Sequence, residues 1–338
     1  MIAERLSAQL LAGPQASEPV GVVARLLAVQ GQDPRGARLA IRARSTSLSA
    51  VDVDRALNDG ELLITWCNRG TLHLVRSEDY QWLHGLTAPP QFTGNARRLA
   101  QEGVSPDAAQ RGVEVIERAL AGEGALTRAQ LRERIAAAGI RTEGQALVHI
   151  LMLASLRGLV VRGPILGAQH AYVLVRDWLG EAATHPVARD RALAELARRY
   201  LTGHGPASDR DLARWSGLPL RDARAGLAGI AAQLLPRPDG LLDLAGRPPP
   251  SALPPPRLLG AFDPVLLGWC SREEIVGSQR RLVTSNGIFR AFALVQGRAV
   301  ALWRMARGEV VIEPFGPLSD HDAATLHIEA QDVLRFLA

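Results

Sequence analysis

The most informative stretch of the sequence is residues 127–158, which read TRAQLRERIAAAGIRTEGQALVHILMLASLRG. Thr127 and Gln130 have the spacing of a capping box, which predicts a helix that begins there and ends at the following glycine. A second helix is predicted over 145–156, and a two-stranded hairpin over 159–175. A helix-turn-helix followed by a hairpin is a winged helix.

A first copy of this pattern lies upstream of the quoted stretch and a third copy lies downstream. The helices predicted for these two copies are 20–29, 35–44, 51–57, 192–200, 208–217 and 220–233. The first hairpin covers 62–75 and turns at Asn68-Arg69-Gly70, whereas the third is weak and turns at Asp239-Gly240. The sequence therefore predicts three tandem winged helices.

Beyond the proline-rich run 247–256, the apolar period changes to two. Turn residues at Asn286-Gly287, Gln296-Gly297 and Arg307-Gly308 separate the predicted strands. These strands are 281–285, 288–295, 298–305 and 309–315, and a C-terminal helix follows. The predicted fold is α+β, with three winged-helix motifs and a C-terminal antiparallel β-rich domain. The predicted domains are 1–105, 106–185, 186–250 and 251–338.

The composition excludes several classes of function. All 39 basic residues are arginine, and the sequence contains no lysine. A side-chain Schiff base with pyridoxal phosphate or with an abasic site is therefore excluded, as is the lysine of a P-loop. The net charge of +5 permits a nucleic-acid partner.

Compartment and cofactors are predicted from the same sequence. Two distant cysteines and the lack of an apolar signal segment predict a cytoplasmic protein without a membrane partner. The eight histidines show no paired ligand spacing, so neither a metal nor a cofactor is predicted. No obligate protein partner is predicted.

A sequence-reading regulator would present polar and basic side chains on the second helix of a winged helix. The middle candidate is apolar nearly all round, which predicts that it is buried. The first candidate carries three aspartates, and the third is rich in alanine and glycine. The three modules therefore look like a scaffold that uses another surface.

Arginines outside these three candidate reading helices supply a candidate surface for DNA. The predicted DNA contacts are Arg35, Arg38 and Arg42 on one helix stripe, Asn68, Arg69 and His73 in the first hairpin, and Arg280, Arg281 and Arg307 in the meander. The alternative interpretation of the stripe is an ordinary solvated face. A lone strand histidine is more often structural than DNA-binding.

Two glutamines with one residue between them stand just before the arginine stripe, in residues 27–35, which read LAVQGQDPR. On spacing alone, Gln30 and Gln32 would be capping or surface amides. Residues 27–35, together with RGTLHLV at 69–75 and FDPVLLG at 262–268, resemble a known family. It is the AlkZ-like family of winged-helix alkylpurine DNA glycosylases, associated with resistance to azinomycin-type alkylators and with unhooking of interstrand crosslinks.

The resemblance implies that Gln30 and Gln32 are the catalytic residues of a Gln-x-Gln motif. The family's middle residue is usually hydrophobic, and Gly31 departs from that pattern. One branch of the family carries aspartate at the second glutamine, so Gln32 places this chain nearer the self-resistance branch. Asp33 precedes a proline, which favours a structural role at the start of a helix.

Glutamine chemistry limits the substrates that such a site can process. A neutral amide can orient a water but cannot act as a strong base. The predicted function is therefore a monofunctional glycosylase for N7- or N3-alkylated purines in double-stranded DNA, including bulky adducts or crosslinks. A non-catalytic DNA-binding or regulatory protein is the alternative, and a protein that sequesters the alkylator is a third possibility.

Overall fold

The structure is a computed structural model that describes residues 1–180, 187–250 and 252–338. The helices are α1 Ile2–Ala8, α2 Pro19–Leu26, α3 Pro34–Arg42, α4 Ala50–Asn58, α5 Ser77–Thr87, α6 Phe92–Gln101, α7 Pro106–Glu123, α8 Arg128–Ala137, α9 Ala146–Leu156, α10 Val175–Leu179, α11 Arg189–His204, α12 Asp209–Ser216, α13 Leu220–Gly229, α14 Pro264–Leu267, α15 Glu273–Val276 and α16 Asp320–Leu337. The strands are β1 Val29–Gln30, β2 Leu62–Cys67, β3 Thr71–Arg76, β4 Val160–Leu166, β5 Gln169–Leu174, β6 Leu234–Pro236, β7 Leu242–Leu244, β8 Arg257–Leu259, β9 Phe292–Val295, β10 Arg298–Ala306 and β11 Glu309–Pro314. Within these residues, no helix is long and apolar enough to cross a membrane.

The chain forms two compact units that are not continuous in sequence. Unit 1 comprises Met1–Val53, Leu193–Trp215 and Pro219–Ala338, and unit 2 comprises Asp54–Ala192 and Ser216–Leu218. The predicted boundary between residues 105 and 106 falls inside unit 2. The boundaries at 185/186 and 250/251 fall on residues outside the described ranges. The division into four consecutive domains therefore stays a prediction.

Unit 2 joins two of the predicted hairpins in one antiparallel sheet. Its strands follow the order β3-β2-β4-β5, with Ile64 opposite Arg162 where the two hairpins meet. Helix α8 begins with the predicted capping box of Thr127 and Gln130. Helix α9 lies in the core, as its apolar sequence predicted, and packs closely on α7, where a side chain at Gly112 would overlap Ile150.

Unit 1 contains the C-terminal antiparallel sheet, in the order β11-β10-β9-β8. Its turns at Gln296-Gly297 and Arg307-Gly308 have positive φ at both residues, which is the geometry of a type I′ hairpin turn. A separate hairpin pairs β6 with β7 across the predicted turn at Asp239-Gly240. The mixed fold with antiparallel sheets is therefore confirmed, whereas the number of winged helices remains a prediction.

One predicted strand of the meander is wrong. Residues 281–285 do not form a strand: Arg280–Leu282 form a 3-10 turn, and only an isolated bridge joins Val283 to Phe289. The edge of β9 is instead paired with β8, which directly follows the proline-rich run 247–256. Since β8 takes the hydrogen bonds of that edge, residues 281–285 are left to form a surface turn.

Candidate active site and DNA-contact residues

The two glutamines lie in unit 1 on a short, sharply turned segment. The helix predicted over 20–29 ends at Leu26, because Leu27 adopts φ 65° and ψ −46°. This conformation is rare and strained for a residue with a side chain. The chain then forms β1, which places Gln30 at 8% exposure, whereas Gln32 is exposed. The strained residue therefore redirects the chain just before the Gln-Gly-Gln segment.

Asp33 closes this segment by capping α3, as predicted from the proline after it. Its carboxylate Oδ1 accepts hydrogen bonds from the backbone N–H groups of Arg35 at 2.9 Å and Gly36 at 3.1 Å. A carboxylate that satisfies two orphan donors of a helix is held in place by them. The carboxylate nearest the glutamines in sequence is thus engaged in fixing the helix start.

Helix α3 is packed tightly against the segment that follows β8. A Cβ atom added to Gly36 would overlap the carbonyl oxygen of Ala261, and one added to Gly260 would lie 3.0 Å from the Cα and the oxygen of Gly36. Only glycines allow this approach of two backbones. The position of α3, and of the residues just before it, is consequently set by this contact.

A buried ion pair fixes the chain beyond α3. Arg44 and Asp263 are fully buried, and the guanidinium donates to both carboxylate oxygens at 2.7 and 3.0 Å. Arg44 also donates to the side-chain oxygen of Gln9 at 2.9 Å, and Asp263 caps α14 by accepting from the N–H of Val265 at 3.0 Å. Asp263 thus braces the segment after β8 against the end of α3, and nothing in the sequence pattern indicated Arg44 as its partner.

Arg42 does not belong to an exposed basic stripe. It is 4% exposed and donates to Glu329 at 2.9 Å, to Asp332 at 2.7 Å and to the carbonyl oxygen of Leu258 at 2.7 Å. Because α16 and β8 cover this end of α3, the guanidinium of Arg42 makes its hydrogen bonds inside unit 1 and is not offered to a ligand. Arg42 is therefore left out of the proposed DNA interface, which corrects the sequence-based prediction.

The first two arginines of the predicted stripe face outward. Arg35 is exposed, and within the described ranges its guanidinium makes no hydrogen bond or ion pair. Arg38 is half-buried and donates to the carbonyl oxygen of Pro34 at 3.1 Å. In the C-terminal region of the same unit, Arg280, Arg281 and Arg307 are all exposed. These five side chains remain candidates for phosphate contacts.

The three candidates of the first hairpin lie in unit 2 and differ in burial. Asn68 is 0% exposed and His73 is 2% exposed, so neither side chain is offered to a ligand at the surface. The Nδ1–H of His73 donates to the carbonyl oxygen of Thr71 at 3.0 Å, and burial together with the charge of Arg69 lowers the pKa of His73 to about 3. Arg69 alone is partly exposed, in a left-handed conformation at φ 53°. We therefore keep Arg69 and leave out Asn68 and His73.

These features of fold and segment are those of a DNA glycosylase family. A family model described as DNA glycosylase AlkZ-like matches residues 23–336. The chain belongs to this AlkZ-like family of DNA glycosylases.

Two comparisons give the degree of similarity. The interstrand DNA cross-link repair glycosylase of Streptomyces sahachiroi is 27% identical over 345 residues, which cover 95% of this chain and 91% of that relative. The solved structure of the Streptomyces sahachiroi DNA glycosylase AlkZ matches with a TM-score of 0.80 at 25% identity, covering 99% of this chain and 95% of that one. The likeness therefore extends over almost the whole of both chains.

Proposed function

We propose that this protein is a monofunctional DNA glycosylase that hydrolyses the N-glycosidic bond of N7- or N3-alkylated purines, including bulky adducts and interstrand crosslinks. Gln30 and Gln32 hold the attacking water. The observation that carries the proposal is the Gln-Gly-Gln segment itself, which lies between the strained Leu27 and the helix cap at Asp33. The name of the Streptomyces relative supports crosslinks as substrates.

The chemistry of the lesion fits two neutral amides. Alkylation at N7 or N3 makes the purine cationic, so the base departs with the electron pair of the bond and becomes neutral. Water then adds to the oxocarbenium-like sugar carbon and loses its proton to solvent. An amide oxygen orients that water, and an amide N–H binds the sugar-phosphate or the base. No strong base is required for this sequence of events.

The product of this reaction is an abasic site in an intact strand. Cleavage of the strand through a lysine Schiff base needs an amine side chain, and the sequence contains no lysine. We accordingly propose base release without a lysine-dependent lyase step.

Bulky adducts require an open surface and a probe for the groove, because a tight flipping pocket would exclude them. We propose that the turns at Asn286-Gly287 and Arg307-Gly308 serve as such probes. Ile288, beside the first turn, is 46% exposed and offers an apolar side chain that can wedge against bases. Phosphate contacts come from Arg35, Arg38, Arg69, Arg280, Arg281 and Arg307.

The test is base release from duplex DNA that carries N7-alkylguanine. Native protein should release the free alkylbase and leave an alkali-labile site, while Gln30→Ala/Gln32→Ala should release no base and bind the duplex as before. Gln32→Ala alone is the variant least able to disturb folding, since this side chain is exposed. Melting curves of all variants verify that they are folded.

Full activity of the folded double variant would overturn the role of the glutamines. If neither protein releases base from small or bulky adducts, the glycosylase proposal fails and a non-catalytic DNA-binding function replaces it. Burial of α9 already disfavours sequence reading by that helix.

A further inference from the structure

A basic cleft in unit 2 lies apart in sequence from the glutamine segment. It has a volume of about 450 Å³ and is bordered by α6, α9 and the turn at Asn68-Arg69-Gly70. Three of the side chains that line it are arginines, Arg69, Arg97 and Arg98. No local pattern in the sequence indicates this cleft, because the elements that form it are separated along the chain.

The arginines leave an excess of positive charge at the cleft. Arg97 is exposed, and in the part of the chain that the structure describes it forms neither an ion pair nor a hydrogen bond. Arg98 donates to the amide oxygen of Gln101 at 2.9 Å and lies 3.9 Å from Glu102. Oε2 of that glutamate also accepts the backbone N–H of Gln145 at 3.0 Å. Among the described residues, Arg97 is thus an exposed cation without a carboxylate partner, beside Arg98, whose nearest carboxylate lies 3.9 Å away, and this pair favours an anionic ligand such as a phosphate.

A histidine in the same cleft is held in one protonation state. The side chain of Asn95 donates through Nδ2 to the carbonyl oxygen of His149 at 3.1 Å, so its Oδ1 is the atom that lies 2.8 Å from Nδ1 of the ring. Since Oδ1 can only accept, Nδ1 carries the proton and Nε2 is an acceptor. Burial, followed by the charge of Arg98, lowers the pKa of His149 although Glu102 opposes this shift. The ring is accordingly neutral at physiological pH.

The remaining walls suit a flat ring better than a bare phosphate. Met152, which is 7% exposed, lines the cleft together with Gly70 and Gly94. A Cβ atom on Gly70 would lie 2.5 Å from Oε1 of Gln91 and 3.5 Å from Cε of Met152, so a side chain there would narrow the cleft. Amides of Gln91 and Gln101 add donors and acceptors at the rim. Donors and acceptors beside the methionine allow hydrogen bonds to the edge of a base while its ring contacts the thioether.

We propose that this cleft binds one unpaired nucleotide of a DNA strand, with its phosphate on Arg97 and Arg98 and its base on Met152, donating an N–H to Nε2 of His149. Each of the four DNA bases has such an N–H on its pairing edge, so the site is tolerant of sequence. A base inside a duplex uses that edge for its partner and is stacked, so it cannot enter. This proposal rests on the proposed function in one respect, which is that the protein acts on DNA.

The test measures binding of unmodified DNA by fluorescence anisotropy. Three probes share the same duplex sequence. The first has blunt ends, the second has an overhang of three nucleotides, and the third has an overhang of three abasic spacers. Native protein should bind the nucleotide overhang roughly threefold or more tighter than the spacer overhang, because only the nucleotide overhang offers a hydrogen bond to His149 and a ring that contacts the sulfur of Met152. Arg97→Gln should weaken binding of both overhangs, whereas His149→Leu should reduce the preference for nucleotide over spacer without weakening binding of the spacer overhang.

Arg118→Gln on α7 is the matched control, because Arg118 is exposed, lies in the same unit and does not line the cleft. Equal affinity for nucleotide and spacer overhangs in native protein would reduce the cleft to a backbone contact and overturn the proposal. An Arg97→Gln protein that binds like Arg118→Gln would overturn it as well. If native protein releases no base from a blunt alkylated duplex but still prefers the nucleotide overhang, the glycosylase function is contradicted and the cleft proposal is not.

Discussion

At the scale of single residues, the buried pair of Arg44 and Asp263 stabilises the region around the candidate active site. A buried charge is tolerated only where its partners satisfy it. Here the two-point contact is completed by Gln9, by the carbonyl oxygen of Ala40 at 2.9 Å and by the N–H of Val265. The pair thereby joins the chain beyond α3 to the start of α14, and the Gln-Gly-Gln segment is positioned through α3.

Asp263→Asn should lower the free energy of unfolding by about 3–5 kcal/mol, because it leaves a buried guanidinium without its counter-charge. The measurement is urea unfolding, and base release should fall with the loss of order around α3. Glu123→Gln is the control, since it removes an exposed pair with Arg134 and should leave stability unchanged. Similar unfolding curves for the two variants would contradict the structural role of the buried pair.

His73 gives a prediction for the dependence of stability on pH. Burial and then Arg69 lower the pKa of His73 to about 3 from its ordinary value of 6.5. Between these values the unfolded chain binds a proton that the folded chain does not, so the stability is complete above pH 6.5 and is lost as the pH falls toward 3. The contribution of this histidine is about 1.4 kcal/mol per pH unit. His73→Asn should flatten the slope by that amount in urea unfolding between pH 4 and 6.5, and an unchanged slope would show that His73 is not held neutral.

At the scale of elements, the contact of α3 with the segment after β8 predicts the effect of one methyl group. Gly36→Ala places a Cβ atom against the carbonyl oxygen of Ala261 and must displace one backbone from the other. Overpacking of this kind costs about 1–3 kcal/mol. Because only the cap residue Asp33 separates Gln32 from α3, we also expect the rate of base release to fall more than binding of DNA.

Gly122→Ala on α7 is the control for this change. A Cβ atom there meets nothing within 4 Å, so the alanine should keep or raise stability through its higher helix propensity. Unfolding by urea and single-turnover base release compare the two variants. An active and stable Gly36→Ala protein would show that α3 can shift without consequence for the glutamines.

The same elements show which parts of the fold the sequence could predict. The capping box of Thr127 and Gln130 and the turn at Gln296-Gly297 depend on neighbouring residues, and both were predicted correctly. The burial of Arg42 was not, because a helical stripe shows which side chains share a face but not which distant element covers it. Its partner Glu329 is 287 residues away in sequence. The glutamines were found through the family resemblance, whereas nothing local in the sequence indicated the cleft at Arg97.

At the scale of the whole molecule, one type of cation serves both the interior and the surface. Arg42 and Arg44 are buried in ion pairs, whereas Arg35, Arg280 and Arg307 are exposed. Arginine suits both uses because its planar fork pairs with carboxylates and phosphates alike. A count of basic residues therefore overstates the charge that is available to DNA.

This division of the arginines predicts the salt dependence of DNA binding. Each exposed arginine that neutralises a phosphate should reduce the slope of log K against log salt concentration by about 0.9 when it is replaced by glutamine. We expect that loss for Arg35→Gln, Arg280→Gln and Arg307→Gln, measured by anisotropy on a blunt duplex over a series of salt concentrations. Arg118→Gln, an equal change of charge outside the proposed interface, should leave the slope almost unchanged. If all four variants lower the affinity equally without altering the slope, the exposed arginines act through the general field of the protein and the proposed phosphate contacts are wrong.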